Sequence, residues 1–283
     1  MPNKDERAKE AAKHIALMKQ VFSAEISSTL SNARIFAEGE GEELALPEPR
    51  FDSTETDVTN RFAADVLFDS EGKVTILDPA SFTRPGGNYE GGSFGPEQQL
   101  CSESDLYPIL CGMQDKYYAE NRDYQRGQLF TNRAMLLPDV MFTRGNVRKA
   151  DIIVMAAPNR ERALQNHRDV KECDGELQRR IEAAMRIAAV SECDVLILPA
   201  FGCGFAGNDT DAVISLFKGW LDAHPGMFKK VVFAVQRSEF DAFHAAFGKP
   251  APEEKPKSDE DENDDDDDGF VLDFDLPEGI TLR

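Results

Sequence analysis

Four short apolar runs punctuate the chain: Val74-Thr75-Ile76-Leu77, Asp151 to Ala156, Asp194 to Leu198 and Lys230 to Val235. Continuous β-branched runs of this length predict strands buried on both faces. Between the second and third runs, Leu177, Ile181, Ala184, Met185 and Ala188 fall on one face of a helix over 176–190. Between the third and fourth, Val213, Leu216, Phe217 and Trp220 do the same over 210–224, with Asn208 or Asp209 placed to cap its start. Strand, helix, strand, helix, strand in that order predicts a mainly parallel sheet covered by helices. The N-terminal segment, from about Asp5 to Phe36, is helical by the spacing of Ala8, Ala11, Ala12, Ile15, Met18 and Phe22. A loop rich in Gly, Glu and Pro follows over 38–49.

Two glycine-rich loops follow two of these strands, and in open α/β sheets ligands bind beyond the carboxyl ends of strands. The first runs from Asp78 to Cys101, with five glycines in the ten residues Gly86 to Gly95. Such a loop wraps closely around a ligand and exposes its amides. The second, Pro199 to Asp209, runs straight into the helix at 210 and offers backbone N–H groups to a diphosphate without Lys or Arg. It is no P-loop, since no Gly-Lys-Ser/Thr follows, and it comes too late in the chain for a Rossmann fingerprint.

Charge and cysteine usage narrow the function classes. The 283 residues carry a formal net charge of -20. Of this, -11 falls in 251–283, where 14 acidic residues meet 3 basic ones. No stripe of Lys and Arg exists to neutralise phosphates, so direct nucleic-acid binding is not expected. The unbroken run Asp264 to Asp268 repels itself and is expected to stay disordered. The acidic tail is a candidate partner for a basic protein, and its apolar end, Phe270 to Leu276, a candidate β-augmentation peptide. The five cysteines, Cys101, Cys111, Cys173, Cys193 and Cys203, lack Cys-x-x-Cys spacing, and the four histidines do not cluster with them. Neither a disulfide scaffold nor a metal site is expected, and no cofactor. A charged N-terminus without an apolar centre and the lack of an apolar span point to an intracellular protein with no membrane partner.

Taken together, these blocks resemble the microbial-type poly(ADP-ribose) glycohydrolase family, a branch of the macrodomains. Ile76-Leu77-Asp78-Pro79-Ala80-Ser81 is similar to the family's Leu-Asn-Phe-Ala-Ser strand end, and Arg84-Pro85-Gly86-Gly87 to its Pro-Gly-Gly-Gly turn. Leu100-Cys101, Leu106-Tyr107-Pro108, Leu137-Pro138-Asp139-Val140 and Ala156-Ala157-Pro158-Asn159 follow in the family's order, then Gly202 to Asn208. The resemblance implies an α/β, macrodomain-like three-layer sandwich over 50–248, with a mixed, mainly parallel sheet and helices on both faces. An N-terminal helical extension, 1–49, and an acidic tail, 249–283, would flank it.

The resemblance also implies an ADP-ribose site. Ser81, Gly86, Gly87, Gly91 and Gly92 of the first loop, and Gly202, Cys203, Gly204, Phe205, Gly207 and Asn208 of the second, are the expected ligand contacts. The family's Gly-Gly-Gly…Gln-Glu-Glu signature falls on Gly86-Gly87-Asn88 and, seven residues later, Pro96-Glu97-Gln98. The family's general acid therefore falls on Gln98, and its ribose-holding Asn on Asp78. A Gln amide cannot donate and retake a proton at neutral pH, so catalysis would pass to Glu97, Asp78 or Glu90. Three functions are compatible: an ADP-ribosyl hydrolase of altered linkage, a non-catalytic reader of ADP-ribose or ADP-ribosylated protein, and an interaction protein that works through its tail.

Overall fold

The apolar runs segregate by alternate residues onto the two faces of one sheet. Ile152 and Val154 join one buried cluster while Ile153 and Met155 join the other; Val195 and Ile197 separate from Leu196 and Leu198 in the same way. This period-2 partition makes a strand buried on both sides read as a continuous hydrophobic run. The structure, a computed structural model, describes residues 2–249. The expected acidic tail lies outside the described residues.

Seven strands form the sheet: β1 (Arg34–Phe36), β2 (Glu55–Thr59), β3 (Val74–Pro79), β4 (Ala134–Arg144), β5 (Asn146–Met155), β6 (Val195–Leu198) and β7 (Lys230–Ala234). Their spatial order is β1-β4-β5-β3-β6-β7-β2. Pairings from β5 through β3, β6 and β7 to β2 are parallel, and β1-β4 and β4-β5 are antiparallel. The mixed, mainly parallel α/β sandwich is the expected fold class.

The α-helices of the described residues, in chain order, are α1 (Lys4–Val21), α2 (Ser23–Asn32), α3 (Ala63–Asp69), α4 (Pro96–Ser102), α5 (Leu106–Gly112), α6 (Ala119–Asn121), α7 (Arg160–Gln165), α8 (Val170–Val190), α9 (Thr210–Ala223) and α10 (Phe240–Phe247). Residues of α1 to α5 pack with one sheet face, and α8, α9 and α10 cover the other. The helix pattern over Asp5 to Phe36 is broken in two places. Phe22 interrupts it between α1 and α2, and Arg34–Phe36 forms an edge strand against β4. Ala11, Met18, Phe22 and Ile26 sit in the same apolar cluster as Ile76 of β3, so these helices share the core of one unit spanning Met1–Lys249.

The N-terminal helix also fixes the first loop. Arg7 Nε donates to the Gly92 carbonyl at 2.8 Å, and Gly92 adopts φ 75° against α1. A Cβ there would fall onto the Lys4 carbonyl, so only glycine allows the approach.

Candidate functional site

The two glycine-rich loops emerge at one end of the parallel strands and face each other across a cavity of about 760 Å³. That volume lies within the usual range for small-molecule sites. Ser81, Gly87, Glu97 and Gln98 line it from the first loop, and Gly202, Cys203, Gly204 and Phe205 from the second. α9 begins just beyond, capped by Asp209, whose carboxylate accepts from the Ala212 N–H at 2.8 Å.

Glu97 is set by helix geometry. Pro96 occupies the first turn of α4, where its missing N–H costs nothing, and Glu97 follows on the inward face. Its Oε2 accepts the Ser81 N–H at 3.0 Å and lies 3.4 Å from Gln98 Nε2. Gln98 Nε2 also donates to the Gly86 carbonyl at 3.0 Å. Gly87, at φ 55°, allows this packing: a Cβ would come within 2.5 Å of Glu97 Oε2 and 2.7 Å of Gln98 Nε2. Burial pushes the Glu97 carboxyl well above the usual range, and the charge of Asp78 pushes it the same way. Against them, the backbone amides of Ser81 and Gly86 favour the ionised form.

Asp78, next to last in β3, does not itself line the cavity. It is 0% exposed, neither carboxyl oxygen has a hydrogen-bond partner, and burial raises its carboxyl to about 8. Glu90 is placed elsewhere. It is exposed, next to the Tyr107 hydroxyl on the far side of the loop, and does not line the cavity. Gly86 is buried beneath the wall against Tyr107, and Gly91 and Gly92 pack on Asn88 and α1. In the second loop, Gly207 abuts Glu161. The buried Asn208 amide donates to the carbonyls of Pro158 (2.8 Å) and Gly202 (2.9 Å). These residues shape the loops from outside the cavity. Cys203 faces the cavity with its thiol pushed up to about 11 by burial, so it is a neutral group at neutral pH.

Several wall residues were not foreseen. Phe82 stacks on Phe130 (centroids 4.7 Å apart, 26° between planes), and Phe62 meets Phe94 edge-on at 6.3 Å. Phe205, one of the expected contacts, stands at the mouth, 82% exposed. Asn159, Arg162, Gln125 and Gln128 complete the polar wall. Phe82, Phe94 and Phe205 were legible as aromatics inside the glycine-rich loops. Phe130 was not, because it reaches the site through a run of unusual backbone: Arg126, Gly127, Gln128 and Phe130 all have positive φ. That run is tied down from behind by Arg180, which is 0% exposed. Arg180 Nη2 donates to the Leu129 carbonyl at 3.0 Å, and Nη1 to the Ala156 carbonyl. Among the described residues, no cluster of three or more His, Cys, Asp or Glu could hold a metal ion, and no helix is long and apolar enough to cross a membrane.

Comparison with known proteins finds similar sequences and a similar fold. Residues 6–145 match the family described as microbial-type PARG, catalytic domain. Among solved structures, the chain is similar to poly(ADP-ribose) glycohydrolase from Thermomonospora curvata, with a TM-score of 0.76 at 23% identity over 85% of this chain and 99% of that one. The same protein bound to the inhibitor ADP-HPD gives 0.75 at 25% identity over the same shares. The glycohydrolase from Deinococcus radiodurans in complex with ADP-ribose gives 0.71 at 29% identity over 78% of this chain and 96% of that one. No curated protein matches the chain.

Proposed function

We propose that the chain, whose residues 6–145 match the microbial-type PARG catalytic-domain family, binds ADP-ribose between its two glycine-rich loops and hydrolyses an ADP-ribosyl bond with Glu97 as the proton donor. One observation carries this reading: a buried carboxyl, raised toward its protonated form, stands in the cavity wall beside the backbone amide of Ser81. Cleavage at a ribose anomeric carbon passes through an oxocarbenium-like state. It requires a carboxyl that protonates the leaving group, and a carboxyl near neutrality at working pH does so most efficiently. The second loop would receive the diphosphate on backbone N–H groups at the approach to α9, which suits a strongly acidic protein. Phe82 and Phe130 offer stacked apolar rings beside these polar groups, the usual composition of a nucleotide pocket. The Deinococcus radiodurans relative in complex with ADP-ribose supports the choice of ligand.

Gln98 sets the linkage apart from that of the relatives. Its amide holds Glu97 and the Gly86 carbonyl and has no proton to give. The chain then cleaves ADP-ribose from a modified protein side chain in preference to the ribose–ribose bond of the polymer. The test is a panel of substrates carrying ADP-ribose on Glu, Ser, Arg or a nucleic-acid end, beside poly(ADP-ribose). The parent is expected to release ADP-ribose from at least one protein linkage. Gln98→Glu is expected to raise polymer cleavage by about tenfold or more, since a well-placed general acid is worth 10²–10⁴-fold. A parent that binds ADP-ribose yet releases it from nothing would be a reader, and the hydrolase reading would fall.

A further inference from the structure

Asp78 has no task in that reaction, yet its position is costly. It is fully buried at the end of β3, neither oxygen accepts a hydrogen bond, and it makes no ion pair among the described residues. Burial without partners disfavours the charged form of a carboxyl in such a place. Glu97, whose carboxyl feels the Asp78 charge, leaves one oxygen, Oε1, buried and partnerless, while Oε2 is held by the Ser81 N–H three residues beyond Asp78. Three orphaned carboxyl oxygens thus lie on two side chains at the same end of one strand. The ionisable groups around them are Cys101 on α4 and Tyr117 and Tyr118 on the turn Gln114–Tyr118, all held neutral by burial. Among the described residues no cation offsets either carboxyl, and two like charges so placed cannot both ionise. The resemblance adds that the chain loses a carboxyl at Gln98 and gains one at Asp78.

We propose that Asp78 and Glu97 hold one proton between them, with Asp78 as a positioning residue that keeps Glu97 protonated for transfer to the leaving group. This rests on the hydrolase reading above. In the reaction, Glu97 gives its proton to the leaving atom as the bond from that atom to the anomeric carbon breaks. Water then adds its oxygen to that carbon, and its released proton returns to the pair. One water is consumed, and the pair ends as it began. Asp78 never touches substrate; it raises the proton affinity of Glu97 by remaining beside it.

The test uses the full chain and Asp78→Asn, which keeps shape and removes the charge. Infrared difference spectra of parent minus variant at neutral pH should show the loss of a protonated-carboxyl band. Asp105, another buried carboxyl, is common to both proteins and cancels in the difference. The alkaline limb of the pH–rate profile should move toward acid by about one unit, a roughly tenfold loss of rate above it and little loss below. Glu97→Gln gives a second check. It should leave Asp78 protonated but shift its band, because the neighbouring side chain loses its ionisable group. Should either variant fail to fold, the other decides. An unchanged infrared difference, or a uniformly lowered profile with no movement of its limb, would overturn the proposal. If the parent cleaves no substrate but the band is lost in Asp78→Asn, the shared proton stands and the hydrolase reading fails.

Discussion

Glu97→Gln is expected to slow ADP-ribose release by about 10²- to 10⁴-fold while leaving ADP-ribose affinity within a few-fold of the parent. The amide keeps the size of the side chain, and its oxygen can still accept the Ser81 N–H that now meets Glu97 Oε2 at 3.0 Å. What is lost is the ionisable proton. Stability separates this outcome from simple damage. Asp78 and Glu97 both titrate above their ordinary values in the folded protein. A carboxyl whose folded pKa is raised contributes most below its unfolded pKa, and that contribution is lost as pH rises through the folded value. Removing Glu97 deletes one such penalty. The melting temperature of Glu97→Gln relative to the parent should therefore climb between about pH 5 and about pH 8. A variant that is slow and also less stable across that range would point to a structural role for Glu97. A variant as fast as the parent would move the proton donor elsewhere.

The largest effect on stability is expected from Arg180→Met. The guanidinium is completely enclosed, donates to the carbonyls of Leu129 and Ala156, and lies 3.8 Å from Glu176 Oε2. Burial lowers its pKa to about 10, which still leaves it charged at neutral pH. Methionine fills similar space but strands two buried carbonyls and one carboxylate oxygen. Removing one member of a buried, hydrogen-bonded charge pair typically costs about 3–5 kcal/mol. Glu176 keeps Arg126 at 3.0 Å and Arg179 at 3.3 Å, which places the loss toward the lower end. Denaturant unfolding measures it. The variant should also bind ADP-ribose more weakly, because Arg180 anchors the run that carries Gln128 and Phe130 into the cavity wall. A loss below about 1 kcal/mol would mean that the carbonyls find other donors.

Arg180 also shows what the sequence hid. Leu177, Ile181 and Ala184 marked the buried face of α8 by their spacing, and Arg180 lies on that same face, where a charged residue ordinarily reads as solvated. The four central strands were legible because both their faces are apolar. β2 was not, since its sequence Glu-Thr-Asp-Val-Thr at the sheet edge buries only Val58. β4 was concealed by Pro138 and Asp139, which argue against a strand. The chain accommodates them as a bulge: the register with β5 shifts between Leu137 and Val140, and Asp139 takes φ 56° with its N–H on the Asp151 carboxylate. The glycine-rich loops were visible in the sequence, yet their glycines divide into two kinds that composition cannot separate. Gly87, Gly202 and Gly204 face the cavity, whereas Gly92 and Gly207 make room for α1 and for Glu161. Glu90 shares its loop with Glu97 but lies at the opposite side of it, because a helix start turns Glu97 inward and nothing turns Glu90.

The most direct measurement is calorimetric titration of the full chain with free ADP-ribose. The two-loop cavity predicts saturable binding at one site per chain, with a negative heat-capacity change from covering the exposed rings of Phe94 and Phe205. Gly87→Val, whose side chain would displace Glu97 and Gln98, should weaken it at least about tenfold by filling space the wall keeps open. Absence of saturable heat with the parent at millimolar ADP-ribose, or equal affinity in a folded Gly87→Val variant, would contradict the assignment of this cavity as an ADP-ribose site.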